Sequence, residues 1–169
     1  MWYDYFDSII GTIYVVMDEK GIVKIELFQD GWREYYELNK ANLEHNRDKC
    51  LTAITQLKEY FNGQREVFNL PLSVSTTEFR SKVWEELINI PYGETRSYSD
   101  IAVAIGNPKG VRAIGGANRA NEFPIIVPCH RVIGKNGKLV GYAGSHTDIK
   151  SRLLEFENEN KDNFIKKTH

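Results

Sequence analysis

The adjacent pair Cys129-His130 is where residue type and spacing point most directly to covalent chemistry in this 169-residue chain. The nucleophilic form of cysteine is the thiolate, and a neighbouring His or Arg lowers the thiol pKa. The pair lies inside Ile125-Ile126-Val127-Pro128-Cys129-His130-Arg131-Val132-Ile133-Gly134, an apolar run interrupted by Cys-His-Arg. Pro128 fixes its own φ and keeps Val127 extended, so Cys129 is expected on a stiff segment. Neighbours on an extended strand point to opposite sides. Cys129 and His130 then cooperate only if the chain turns there or a water bridges them; packing or coincidence is the alternative.

A carboxylate is the second signal. If Ile149, Leu153, Leu154 and Phe156 form the apolar arc of a helix, Glu157 falls inside that arc. A carboxylate there is costly unless paired. The other reading is a helix-end residue frayed into solvent beside the acidic, Asn-rich tail. Cys50, the second cysteine, sits at the start of an expected helix with only His45 nearby, and reads as a packed, inert thiol. In a reducing compartment two thiols are expected to form neither a disulfide nor a cysteine-rich zinc site.

The elements that must position these groups lie on either side of Leu70-Pro71-Leu72-Ser73, where Pro and Ser suggest a boundary between 1–74 and 75–169. In the first part, Gly11–Met17 and Gly21–Phe28 are rich in β-branched and aromatic residues, and Asp18-Glu19-Lys20-Gly21 between them suits a hairpin. Ile54, Leu57 and Phe61 have helical spacing, ended by Asn62-Gly63. In the second part, Ser75-Thr76-Thr77-Glu78 has capping-box form ahead of Phe79, Val83, Trp84 and Leu87. Ser97 and Asp100 give a similar signal before Ile101, Ala104 and Ile105, and Gly106-Asn107-Pro108 separates that helix from Lys109–Asn118. Two short helices and a tight turn suggest helix-turn-helix. Ala113, Gly115, Gly116 and Ala117 weaken the second helix, at about 1 kcal/mol per Gly relative to Ala. Small side chains permit close approach, either to a neighbouring helix or to a DNA groove.

Net charge is −1, with 8 Lys+Arg against 12 Asp+Glu in 1–74, and 14 against 11 in 75–169. Between 109 and 138 six basic residues face one acid, Glu122. That suits phosphate contact, although charge alone fits a solvated face as well. No apolar run nears the roughly 20 residues of a membrane span. The N-terminus lacks a basic start followed by an apolar stretch, so a cytoplasmic protein with no membrane partner is expected.

Val127-Pro128-Cys129-His130-Arg131-Val132 resembles the active-site signature of the O6-alkylguanine-DNA alkyltransferases. The resemblance continues through Phe79-Arg80-Ser81-Lys82-Val83-Trp84, Ser97-Tyr98, Gly106-Asn107-Pro108, Arg112–Arg119, Gly141-Tyr142-Ala143-Gly144 and Leu153–Glu157. The first half is similar more loosely, through its strand pattern and Gly63-Gln64-Arg65 before Leu70-Pro71-Leu72.

The resemblance implies an α+β chain. Its N-terminal domain would be ribonuclease-H-like α/β with a small antiparallel sheet. Its C-terminal domain would be mainly helical, winged-helix-like, with a helix-turn-helix. It implies a monomer that binds double-stranded DNA containing O6-alkylguanine and moves the alkyl group irreversibly to Cys129, without a cofactor. His130 would take the thiol proton through a water, Glu157 would orient His130, and Asn121 would hold the turn beside the site. Tyr98 would help rotate the nucleotide out and donate a hydrogen bond to the departing base, and Arg112 would fill the gap left behind. Ala113, Gly115 and Gly116 would enter the minor groove, with Arg119 at phosphate. Cys129 and Val132 would offer carbonyls to the guanine amino group, while Tyr142, Ala143 and Ser145 would line the alkyl pocket.

Three departures from the family pattern stand out. Ser145-His146-Thr147-Asp148 is one residue longer than the usual loop with a second Gly, Glu122 stands where Pro is common, and no residue cluster matches the zinc site of some members. The rival readings are a lesion-binding module without repair, a cysteine hydrolase using Cys129, His130 and Glu157, and a regulator using the helix-turn-helix alone. Relatives of the first type replace the nucleophile. The second needs an oxyanion hole that nothing in the sequence marks.

Overall fold

A computed structural model of the chain describes residues 1–137 and 147–165. It divides into two compact units, Met1–Ser75 and Thr76–His169. Tyr142, Ala143 and Ser145, expected in the alkyl pocket, lie outside the described residues.

The N-terminal unit begins with β1 (Trp2–Ser8), β2 (Gly11–Asp18) and β3 (Gly21–Glu26). Next come α1 (Gln29–Asn39), the two-residue β4 (Glu44–His45) and α2 (Arg47–Phe61). The sheet order is β3-β2-β1-β4. The three long strands are antiparallel, as expected, and β4 joins β1 in parallel, so the sheet is mixed. Strand alternation sends Tyr14 and Val16 to the same face as Trp32 of α1, and the Tyr14 and Trp32 rings stack at 4.4 Å. Ile13 and Val15 point the other way and are also fully buried, so both faces of β2 are covered. The chain returns to the sheet at Leu72, where Ile22 N–H donates to the Pro71 carbonyl at 2.9 Å. Gly21, at φ +142°, makes this possible, because a Cβ there would collide with the Pro71 carbonyl.

The C-terminal unit contains α3 (Glu78–Ile88), β5 (Arg96–Ser97), α4 (Tyr98–Ala104) and α5 (Val111–Arg119). It continues with β6 (Val132–Ile133), α6 (Thr147–Asn160) and α7 (Asp162–Ile165). The cap of α3 is Thr77, whose hydroxyl accepts from Arg80 N–H at 3.2 Å, and not Ser75 as its spacing to Glu78 suggested. The Ser97–Asp100 capping box forms in both directions, at 2.8 and 3.0 Å, and fixes the first turn of α4. Trp84 of α3 donates its indole N–H to the Ala117 carbonyl of α5 at 2.9 Å and meets Phe123 edge-on at 6.0 Å. This anchors α5 and the chain that leaves it. β5 and β6 pair in parallel, which ties the start of α4 to the residues just after Cys129-His130-Arg131.

Candidate active site

Residues Cys129–Arg131 form a single 3₁₀ turn, the first of the two arrangements that would let Cys129 and His130 cooperate. Pro128 takes φ −80° and ψ 65°, leaving the extended region as the turn begins. A 3₁₀ turn places successive side chains about 120° apart instead of on opposite faces. That resolves the geometric objection to an adjacent Cys-His pair: the chain turns there.

Two asparagines hold the turn. Asn121 Nδ2 donates to the Val127 carbonyl at 2.8 Å and to Cys129 Sγ at 3.1 Å, while its Oδ1 accepts from Phe123 N–H at 2.9 Å. Asn118, buried on α5, donates to the Cys129 carbonyl at 3.4 Å. That carbonyl also accepts from Val132 N–H. Between Asn121 and Cys129 the backbone passes through Ile125 at φ +77°, a conformation that β-branched residues rarely adopt. The surrounding hydrogen bonds and the full burial of Ile125 hold it there.

Behind the turn lies a buried ionic group. His130 Nε2 is 2.7 Å from Glu157 Oε2. Arg131 donates from Nε to Glu157 Oε1 at 2.8 Å, from Nη2 to Oε2 at 3.0 Å, and from Nη1 to the Ile90 carbonyl at 2.8 Å. Burial alone would raise the Glu157 pKa, but His130 and Arg131 outweigh it and hold the carboxyl far below the usual range. Burial lowers the His130 pKa despite the opposing pull of Glu157. The imidazole is therefore neutral. An ionised carboxylate can only accept, so the ring proton sits on Nε2 and Nδ1 is the basic nitrogen. Glu157 is thus paired inside the apolar arc of α6, not frayed into solvent.

Tyr98, at the start of α4, is buried, and its pKa is raised by burial and then by the nearby Cys129. Cys129 and Val132 are buried, at 3% and 0% exposure. On α5, Arg112, Ala113 and Arg119 are exposed, with Gly115 and Gly116 between them partly covered. A groove of about 690 Å³ runs past this helix, lined by Ser97, Tyr98, Arg112, Gly115, Arg119 and Lys135 among others. A Cβ on Gly116 would meet nothing within 4 Å among the described residues. The neighbouring-helix reading of this small-residue stripe therefore has no support at that position. Glu122 is exposed. Among the described residues, no group of three or more His, Cys, Asp or Glu is placed to hold a metal ion, and no helix is long and apolar enough to cross a membrane.

Residues 1–74 match the family model described as 6-O-methylguanine DNA methyltransferase, ribonuclease-like domain, and residues 78–159 match its DNA binding domain. The chain belongs to the 6-O-methylguanine DNA methyltransferase family. It is 49% identical over 157 residues to the constitutive methylated-DNA–protein-cysteine methyltransferase of Bacillus subtilis, covering 92% of this chain and 94% of that one. It is 44% identical to the Methanosarcina barkeri methylated-DNA–protein-cysteine methyltransferase, covering 95% and 99%. Among solved structures, Mycobacterium tuberculosis OGT in complex with DNA superposes with a TM-score of 0.84 at 38% identity, covering 95% of this chain and 94% of that one.

Sequence reasoning missed three residues that the fold brings against the expected site residues: Asn118 at the Cys129 carbonyl, Arg131 at Glu157, and Lys150 over the Tyr98 ring at 5.8 Å. Arg131 lay in the quoted signature but reads as one more basic residue of the 109–138 stretch. Lys150 falls next to Ile149 in the apolar arc, and a charged residue at that position was the available signal.

Proposed function

We propose that this methyltransferase repairs DNA by transferring the alkyl group of O6-alkylguanine irreversibly to Cys129. The observation that carries the reading is the 2.7 Å contact between His130 and Glu157 on the same turn as a cysteine whose sulfur already accepts a hydrogen bond. Glu157 fixes the tautomer, and Nδ1 of His130 takes the thiol proton through a water. Asn121 donates to the sulfur, which favours its anionic form. The sulfur lone pair attacks the alkyl carbon, and the carbon–O6 bond breaks with its electron pair left on guanine. Tyr98 donates the hydrogen bond that supports the departing base. The product is a thioether with no leaving group for water to displace, so each molecule acts once.

The groove beside α5 suits DNA. Arg112 and Arg119 flank a stripe with no bulky side chain, and the stripe is open at Gly116. Minor-groove entry and extrusion of the nucleotide bring the alkyl carbon to Cys129, with Arg112 filling the gap. The protein works as a monomer in the cytoplasm. The boundary between the ribonuclease-like and the acceptor domains lies near residue 75.

Cys129→Ala tests the reading. Repair of O6-methylguanine oligonucleotides should vanish while lesion binding persists. Loss of an ester hydrolase activity instead would favour the hydrolase reading.

A further inference from the structure

Arg131 is buried, and its nitrogens donate along the edge of the guanidinium: Nε and Nη2 to Glu157, Nη1 to the Ile90 carbonyl. The flat faces of a guanidinium make no such bonds and are shielded from water only by a group stacked over them. Tyr92 supplies that cover on one face. The guanidinium carbon lies 5.6 Å from the centroid of its ring, within cation–π range. Phe164 of α7, itself buried, meets the same ring edge-to-face at 4.9 Å and 72°. Ile90 and Tyr92 are two residues apart, so one short stretch grips Arg131 twice. Its turn closes by Glu94 N–H donating to the Pro91 carbonyl at 3.1 Å, with Gly93 at φ +79°. Gly93 N–H approaches Glu157 Oε1 at 3.5 Å. A Cβ on Gly93 would come within 2.9 Å of the Lys161 Cβ, so glycine lets the turn seat there. The turn borders Arg131 and Glu157 together, and α7 backs its aromatic ring.

We propose that Tyr92, backed by Phe164, is a positioning residue for alkyl transfer: its ring keeps water off the Arg131–Glu157 pair and so holds the His130 ring as the acceptor of the Cys129 proton. It acts through Arg131 and Glu157, and this rests on Cys129 being the nucleophile. Charge pairs and hydrogen bonds are strongest where water is excluded, so the grip of Glu157 on His130 depends on a dry cluster. The titratable and charged groups around His130 are Cys129 and Arg131 on the 3₁₀ turn, and Lys150 and Glu157 on α6. Around Tyr92 stand Arg131, Lys161 beside Gly93, and Glu94, which pairs with Arg96 at 3.3 Å. Burial holds His130 towards its neutral form, with Arg131 and Lys150 adding to it, while Glu157 pulls the other way. Admitting water relieves the burial first, so losing the ring should raise the His130 pKa towards its ordinary value.

The test is an NMR titration of the His130 imidazole nitrogens in the isotope-labelled full chain, assigned through His130→Gln, for the wild type, Tyr92→Leu, Tyr92→Phe and Phe164→Leu. The wild-type midpoint should lie below the ordinary histidine value of about 6.5. In folded Tyr92→Leu it should rise by about one pH unit, and the single-turnover rate of alkyl transfer should begin to fall at correspondingly higher pH. Tyr92→Phe keeps the ring and should keep the wild-type midpoint. Phe164→Leu should move the midpoint in the same direction by less. An unchanged midpoint in folded Tyr92→Leu overturns the proposal, and so does a Tyr92→Phe midpoint shifted as far as that of the Leu variant. If Tyr92→Leu does not fold, Phe164→Leu decides, and an unchanged midpoint there overturns the proposal. Failure of the underlying reading looks different: the alkyl group from DNA would map to a residue other than Cys129, whatever the His130 midpoint.

Discussion

Arg131 closes a two-point ion pair on Glu157, Nε to Oε1 at 2.8 Å and Nη2 to Oε2 at 3.0 Å, and His130 shares the second oxygen at 2.7 Å. All three residues are buried. The carboxylate therefore balances Arg131 and fixes the imidazole at once. Glu157→Gln keeps the shape and removes the charge, leaving Arg131 uncompensated. Removing one partner of a buried pair typically costs about 3–5 kcal/mol. The expected outcome is a loss of that size in urea unfolding, together with slower alkyl transfer in the fraction that remains folded.

Acid should destabilise the protein through the same cluster. The folded His130 pKa is depressed, so its contribution is fully present above the ordinary histidine value of about 6.5 and is lost as pH falls towards the folded value. Glu157 is depressed as well, so its contribution is lost further down, below the ordinary Glu value of about 4.3. Urea midpoints of the wild type should fall between pH 7.5 and 5.5, and His130→Gln should flatten that slope. A flat wild-type profile would contradict the neutral, buried imidazole.

Much of this arrangement was legible in the chain, for identifiable reasons. Ser97 and Asp100 declare a helix start through local hydrogen bonding alone, and that cap forms as read. Cys129, His130, Asn121 and Glu157 were nameable because their order along the chain carries the family resemblance. The 3₁₀ turn was not legible. Pro128 favours extended backbone locally, and the turn is imposed by Asn118 and Asn121, which approach from outside the segment. The cap of α3 was misplaced because Ser75 and Thr77 are both capping residues, and only backbone direction selects between them. β4 was missed because two residues hold no periodicity, and its pairing with β1 spans some forty residues of chain. Arg131 reads as one more cation of a basic stretch because nothing local announces that its charge will be buried, whereas the place of Lys150 in the apolar arc of α6 was a signal that went unread.

Asn121 joins the fold to the chemistry by donating to both the Val127 carbonyl and the Cys129 sulfur. Asn121→Ala leaves the Val127 carbonyl and Phe123 N–H without this partner, at a cost of about 1–3 kcal/mol. Asn121→Asp places a carboxylate beside the thiolate. Single-turnover rates should fall more than ten-fold in both, and further in the Asp variant because like charge opposes ionisation of the thiol. Equal rates in the two variants would remove the electrostatic role and leave a purely structural one.

The helix α5 separates stability from binding. Gly116→Ala meets no neighbour among the described residues and should stabilise the fold by up to about 1 kcal/mol. The same methyl group should weaken DNA binding if the stripe seats in a groove. Arg119→Ala should lower the slope of log affinity against log salt by about 1. Thermal melts and salt-dependent anisotropy titrations on a duplex check both. Unchanged DNA affinity in Gly116→Ala would mean that the open stripe does not face the duplex.

The most direct test of the account is intact-mass spectrometry with peptide mapping after incubation with an excess of O6-methylguanine duplex. The account predicts a gain of one methyl group per molecule, located on Cys129, and repair that stops at one lesion per protein. Sustained turnover past that point, or a methyl group found on any other residue, would contradict it.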